Sequence, residues 1–386
     1  MSSVNQFISL TRDLFSTEEF IPLHAPLFSG NEAKYVHETI ESTMVSSVGS
    51  FVEEFESSLG EYVNTPGSVA VVNGTSGLQV ALRLVGVKPG DEVITQSLTF
   101  IATANAIMLN FAHPIFLDVD KDTLGLSPEA LESFLKENTF IKNKNCYNIK
   151  TGRRISCCVP MHTFGFLCRI QKIIEICNRY YLKVVEDSAE ALGSFNGSTA
   201  AGTFGDIGVY SFNGNKIITS GGGGAIVSKN EDILKKAKHL TTTAKKAHRY
   251  EYFHDEIAYN FRMPNINAAL ALSQLENINN FKSSKKELYS TYSKELVSYD
   301  FKLTEIPDST SSWNYWLISI QLKDIHQRNE FLEQTNDAGV MTRPIWKLLH
   351  SLPIYKSFQT DDLVISKQLE ETIVNIPSSA RHDCKK

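Results

Sequence analysis

At 386 residues the chain is long enough for two domains, or for one large domain with an appendage. Apolar residues make up 42% and charged residues 21%, the balance of an ordinary soluble globular enzyme. A formal charge of −5, from 38 basic and 43 acidic side chains, argues against nucleic acid or an anionic membrane as the main partner.

The opening stretch, "MSSVNQFISLTRDLFSTEEF", has no basic region leading into an apolar core, so a signal peptide is not expected. No apolar run approaches the roughly 18 residues that a bilayer requires. At the other end, "SSARHDCKK" carries its cysteine third from last, which does not fit a prenylation box. A cytoplasmic location is the expectation.

In chain order, "SVAVV" (68–72) reads as a strand, followed by a helix from Thr75 with Leu78, Leu82 and Val85 on one face. "DEVIT" (91–95) and "PIFLDVD" (114–120) are further strands. In "SPEALESFL", Ser127 suits a helix cap and Pro128 the first turn. "ISCCVPM" (155–161) reads as a buried strand. Six cysteines, at 146, 157, 158, 168, 177 and 384, form no disulfide framework, so reduced thiols are the simpler account. "CCVPMHTFGFLC" raises a zinc site through His162 and Cys168. Adjacent cysteines lack the gap of a metal knuckle, and Cys serves here as a small apolar side chain, so no metal is expected. "RIQKIIEICNRY" is another amphipathic helix, and "LKVVED" (182–187) another strand. This alternation predicts an α/β fold with a mostly parallel sheet covered by helices on both faces.

Beyond about residue 255 the pattern changes. "NINAALALSQLENINNFKSSKKELYSTYSKEL" reads as one long helix, followed by the strand "YWLISIQL" and the helix "IHQRNEFLEQTNDAG". The expected division is an N-terminal segment (1–30) packing on the small domain or a dimer interface, a large domain (31–274), and a smaller α+β domain (275–386). The hydrophilic stretch 241–256 is expected to form a mobile or interface loop, or a solvated one.

Three motifs fall where strands should end, the place where such sheets bind ligands. "VVNGTSG" leads a strand through Gly74 into a helix start bearing Thr75 and Ser76. That start suits a phosphate, and equally a plain cap. "VVEDSAEALGS" puts Asp187 at a strand end, either to cap the next turn or to face a cationic ring nitrogen. "GVYSFNGNK" places Ser211 and then Lys216, 29 residues past Asp187, ahead of a glycine run. This is not a Walker loop, because no Ser or Thr follows the lysine. Together the three supply what pyridoxal 5′-phosphate chemistry needs: a phosphate cradle, a carboxylate for the ring nitrogen, and an amine for a Schiff base. Phe100, in "QSLTFIATANAI", is placed to cover the ring.

These blocks resemble the DegT/StrS type of nucleotide-sugar aminotransferases, with the aspartate-aminotransferase (type I) fold. "NGTSGLQVAL", "GDEVITQSLTFIATANAI", "FLDVDKDTLGLSPEAL", "FGDIGVYSFNGNK" and "YNFRMPNINAALALSQLE" carry the resemblance nearly end to end. "CYNIKTGRRISCCVPMHTFGFLCRI" and "GVMTRPIWKLLHSLPIY" are similar to the branch that aminates C4 of a nucleotide-linked (UDP or GDP) 4-keto-6-deoxy-N-acetylhexosamine. That branch serves bacillosamine and legionaminic-acid-type pathways, and a bacterial cell-surface sugar, such as one of an O-antigen (lipopolysaccharide), is the expected product class.

The resemblance implies Lys216 as the Schiff-base lysine, Asp187 as the ring-nitrogen partner, and Phe100 as the stacking ring. It implies Gly74, Thr75, Ser76 and Ser211 around the phosphate. Asn260 would reach the phosphate of a neighbouring subunit, which implies a homodimer. The family commonly has His or Gln where this chain has Glu190, near the phenolic oxygen; a carboxylate there repels a phenolate unless one of them is protonated. Arg343 and His350 fall where the small domain would close on a keto-sugar, as substrate contacts or as packing residues. An amino donor, glutamate, completes the scheme. The alternatives are a C3-aminating or dehydrating relative, which typically replaces this lysine with histidine, and a non-catalytic binding protein that keeps the fold.

Overall fold

The structure is a computed structural model that describes residues 2–381. Cys384 and most of the stretch compared with a prenylation box lie outside that range.

Seven strands form the large sheet: β1 (Ser68–Val71), β2 (Glu92–Gln96), β3 (His113–Leu117), β4 (Arg154–Val159), β5 (Lys183–Asp187), β6 (Ile207–Ser211) and β7 (Gly224–Val227). Their spatial order is β1-β7-β6-β5-β4-β2-β3. A hairpin of Thr139–Lys142 and Asn145–Asn148 pairs with β4 and brings the sheet to nine strands. From β6 through β3 all neighbours are parallel, while β7 runs antiparallel to both β1 and β6. Most strand residues are buried, because helices cover both faces, so the strands read as continuous apolar runs and not as alternation. The expected α/β fold is observed.

Two expectations need correction. The strand expected over 114–120 stops at Leu117. Asp118 leaves the ladder and accepts hydrogen bonds from the Ile365 and Ser366 amides, at 2.8 and 2.7 Å, capping the helix Val364–Thr372 from outside. The single long helix is two, Asn265–Glu276 and Ile278–Glu295. At the break, the Asn277 side chain donates to the Ser273 carbonyl (3.1 Å), the local competition with helix hydrogen bonding that Asn favours.

The second sheet is antiparallel. It contains β8 (Lys302–Leu303), β9 (Ile318–Gln321), β10 (Arg343–Pro344) and β11 (Ile373–Ile376), ordered β8-β9-β11-β10. The helix Ile325–Asp337 packs on it, its start capped by Asp324 through the His326 and Gln327 amides at 2.9 Å. The N-terminal helix Ser3–Phe15 joins this layer: the Phe7 ring lies 5.1 Å from Phe331 and 6.1 Å from Phe301. The 241–256 stretch folds back as a short pairing of Lys245–Lys246 with Phe253–His254. Among the described residues, no helix is long and apolar enough to cross a membrane.

Candidate active site

The carboxyl ends of β5 and β6 meet the start of the helix Gly74–Leu84, and the edge of the second sheet with the segment around Trp316 supplies the opposite wall. Between them lies a cleft of about 650 Å³. Gly74, Thr75, Phe100, Asp187, Glu190, Ser211 and Lys216 line one side, and Trp316, Arg343 and Trp346 the other.

At the helix start the structure assigns the cap to Asn73. Its Oδ1 accepts from the Ser76 amide (2.8 Å) and its carbonyl from Gly77 (3.1 Å). The Gly74 and Thr75 amides therefore have no acceptor within the helix and present the positive end of its dipole to the cleft. A Cβ on Gly74 would sit 3.1 Å from the Ser211 Cβ. The missing side chain is what lets the helix start approach the end of β6, bringing the Ser211 hydroxyl beside those amides. Together they are a ready seat for a phosphate.

Past β6 the chain turns through Lys216 and returns as β7. A Cβ on Gly224 would lie 2.8 Å from Gly74 N and from the Tyr210 carbonyl oxygen, so only glycine lets β7 thread between β1 and β6. The Lys216 side chain is 13% exposed; its Nζ stands 3.1 Å from Glu190 Oε1 and 4.0 Å from the centre of the Trp316 ring.

Asp187 is buried at the end of β5. The Thr103 hydroxyl donates to its Oδ2 (2.6 Å) and the Ala189 amide to its Oδ1 (3.1 Å). Burial pushes its pKa above the usual carboxylate range, and the Thr103 bond is the main force against that rise. Among the described residues no basic side chain lies within 4 Å of it. Glu190 accepts from the Phe164 amide (3.0 Å), and burial raises its pKa to about 7 against the pull of Lys216.

These residues fit pyridoxal phosphate. A buried carboxylate without an ion-pair partner suits a protonated ring nitrogen, the free amides and Ser211 suit the phosphate, and the shielded Lys216 amine suits covalent attachment.

Other sequence candidates lie elsewhere. Ser76 gives its amide to the Asn73 cap and does not line the cleft. Asn260 is exposed, bridged to Thr242, and stands outside this chain's own cleft. His350 also stands outside the cleft wall: its Nδ1 meets Ser97 Oγ at 2.9 Å, which ties the 349–351 turn to the end of β2. Arg343 does reach the cleft. Sequence reasoning missed Thr103, three residues after Phe100, and the aromatic wall of Trp316 and Trp346. The chain has only three tryptophans, and two of them line this cleft, which was the available signal.

A type I fold with a lysine, a buried carboxylate and a phosphate seat at the strand ends defines a pyridoxal-phosphate-dependent aminotransferase. Residues 27–384 match the DegT/DnrJ/EryC1/StrS aminotransferase family, and the chain belongs to it. It is 35% identical over 360 residues to a GDP-perosamine synthase of Escherichia coli O157:H7, covering 93% of each chain. It is 34% identical over 335 residues to a putative pyridoxal phosphate-dependent aminotransferase, EpsN, of Bacillus subtilis (strain 168), covering 87% of this chain and 84% of that one. Among solved structures, a DegT DnrJ EryC1 StrS aminotransferase from Brucella abortus superposes with a TM-score of 0.81 at 27% identity, covering 90% of each chain. The chain is thus an aminotransferase of the nucleotide-sugar type.

Proposed function

We propose that this enzyme moves the amino group of L-glutamate to C4 of a nucleotide-linked 4-keto-6-deoxyhexose. The observation that carries the reading is the Lys216 amine, held 3.1 Å from Glu190 in the cleft that also contains Asp187. A relative named for a GDP-linked product favours GDP as the carrier. The finer motif resemblance favours an N-acetylated sugar of the bacillosamine or legionaminic-acid kind, made in the cytoplasm for a cell-surface glycan such as an O-antigen.

Bound pyridoxal phosphate supplies a sink for the electron pair left when the donor's Cα–H bond breaks. Lys216 would tether it and, when free, would take the proton from that Cα on Nζ as a positioned base. Glu190, with a pKa near neutrality, exchanges a hydrogen bond with the same Nζ. Asp187 would hold the ring nitrogen, Phe100 would cover the ring, and Gly74, Thr75 and Ser211 would hold the phosphate, with Ser76 set behind them on the Asn73 cap. Asn260 reaches the phosphate of a second subunit, so the working unit is a homodimer. The division into 1–30, 31–274 and 275–386 belongs to the same proposal, as does Arg343 as a contact of the arriving substrate.

The test is a panel of GDP- and UDP-linked 4-keto sugars incubated with glutamate, with products read by mass and NMR. A C4 amine on any member supports the reading. A product aminated at C3, or dehydrated, overturns it.

A further inference from the structure

Trp316 is 3% exposed and is tied to the lysine turn and to Glu190 by separate hydrogen bonds. Its Nε1 donates to the carbonyl of Asn215 (2.7 Å), the residue just before Lys216. Its amide donates to Asn314 Oδ1 (3.0 Å), and Asn314 Nδ2 donates in turn to the Glu190 carbonyl (2.7 Å). Tyr315, between Asn314 and Trp316, sits at φ +56°, a left-handed conformation that a bulky residue keeps only where its surroundings impose it. Trp316, Glu190 and the Lys216 turn thus form one hydrogen-bonded unit. Within it, Lys216 Nζ stands 4.0 Å from the centre of the Trp316 ring, inside the roughly 6 Å over which a ring face attracts a cation. Among the described residues, Glu190 Oε1, at 3.1 Å, is the only hydrogen-bond acceptor that Nζ meets.

We propose that the face of the Trp316 ring is the resting place of the Lys216 ammonium while the lysine is off the cofactor, which makes Trp316 a positioning residue for the base. A lysine that takes a proton from Cα becomes a cation with three N–H donors. Glu190 accepts one of them, and the cleft wall offers a ring face where a second acceptor could stand. A second carboxylate there would hold the proton too firmly for a group that must give it up again, because an ion pair at that distance is stronger than a cation on a ring. The ring also imposes no hydrogen-bond direction, so Nζ leaves it without breaking a directed bond. The proton taken from Cα stays on Nζ beside the ring until it is delivered, and no other acid or base is called on. The inference rests on the proposed role of Lys216 as the base.

The test compares Trp316→Phe with Trp316→Leu. Both lose the Nε1 bond to Asn215 and only the first keeps a ring, so their difference reads the ring face alone. Asp187, Glu190 and His24, the titratable groups in Coulombic reach of Lys216 among the described residues, are the same in both. In cofactor-free protein at pH 8, trinitrobenzenesulfonate should label the peptide containing residue 216 about threefold or more faster in Trp316→Leu, as loss of a shielded cation–π contact implies. At pH 11, above the ordinary lysine range, the two should label alike. In the holoenzyme, followed by the cofactor's absorbance, Trp316→Leu should slow both half-reactions by a similar factor relative to Trp316→Phe, with half-saturating substrate concentrations within about twofold. Trp316→Met, also apolar and without a ring, replaces Trp316→Leu if that variant folds poorly. Equal labelling at pH 8, a labelling gap that persists at pH 11, or a raised half-saturating concentration in place of a lowered rate overturns the proposal. Normal turnover by Lys216→Ala would fell the reading of Lys216 as base instead, and the labelling comparison then judges the ring contact by itself.

Discussion

Glu190→Gln should stabilise the protein without its cofactor, and only above a definite pH. In the folded chain burial moves the Glu190 pKa from 4.5 to about 7, although Lys216 pulls the other way. The folded state therefore binds a proton that the unfolded state has released anywhere between those two values. Stability declines as pH rises through that window and levels off above about 7. The gap between 4.5 and about 7, at about 1.4 kcal/mol per pH unit, makes the ionised carboxylate cost about 3 kcal/mol at pH 8. Glutamine keeps the shape and cannot ionise, so it is spared that cost.

The assay is a thermal melt of cofactor-free wild type and variant at intervals from pH 4.5 to 8.5. The two melting temperatures should coincide near pH 4.5 and separate steadily up to pH 7. A constant gap of about 4 °C should follow, the size that about 3 kcal/mol implies for a chain of this length. Parallel curves over the whole range, or a variant destabilised most at high pH, would mean that Glu190 is ionised in comfort beside Lys216. The account of the site electrostatics would then be wrong.

Three other outcomes follow from the geometry. Lys216→Ala should leave at most trace transamination and should lose the label that borohydride reduction places on the wild-type peptide containing residue 216; normal turnover would refute its role. Thr103→Val removes the 2.6 Å bond to Asp187, a bond to a charged group worth about 1.5–3 kcal/mol. Cofactor affinity, followed by fluorescence titration, should fall about tenfold to a hundredfold, and the acid limb of the rate profile should move to higher pH as Asp187 protonates more readily. Mixing inactive Lys216→Ala and Asn260→Ala proteins under subunit exchange should restore about a quarter of wild-type activity, because half of the dimers then carry one intact shared site; no recovery would remove Asn260 from the neighbour's site.

The parts of the site that could be read in advance are those that local chain rules mark. Asp187 and Ser211 end apolar strands, and Lys216 precedes a glycine run in which Gly221 takes a positive φ and Gly224 permits close backbone approach. Gly74 and Thr75 open a helix directly after a strand. The rest depends on tertiary closure. Trp316, Trp346, Arg328 and Asn375 come from 100 to 159 residues beyond Lys216, and no spacing relates them to it. Thr103 is one hydroxyl among several in its stretch, and only the fold shows that it faces Asp187. The glycine run announced a tight turn but not the antiparallel strand that follows it. His350 illustrates the opposite case: a histidine near the closing edge is tied to Ser97 and pins the 349–351 turn to the end of β2.

Asp187 and Glu190 show why residue type alone does not assign a role. They are three positions apart, both carboxylates and both buried, so desolvation raises both pKa values. Asp187 receives two donors, one of them the Thr103 hydroxyl at 2.6 Å, and among the described residues no cation stands within ion-pair distance of it. Its charge is held by hydrogen bonds and left available to a ligand. Glu190 has one amide donor and a single cation, Lys216, the same amine that must become free to take a proton. Burial brings the Glu190 pKa to about 7 against the pull of that cation, so near neutral pH the carboxyl is able either to accept or to donate a hydrogen bond. A cofactor phenolate placed beside it would favour the protonated, donating form, so a carboxyl there would not have to repel the cofactor.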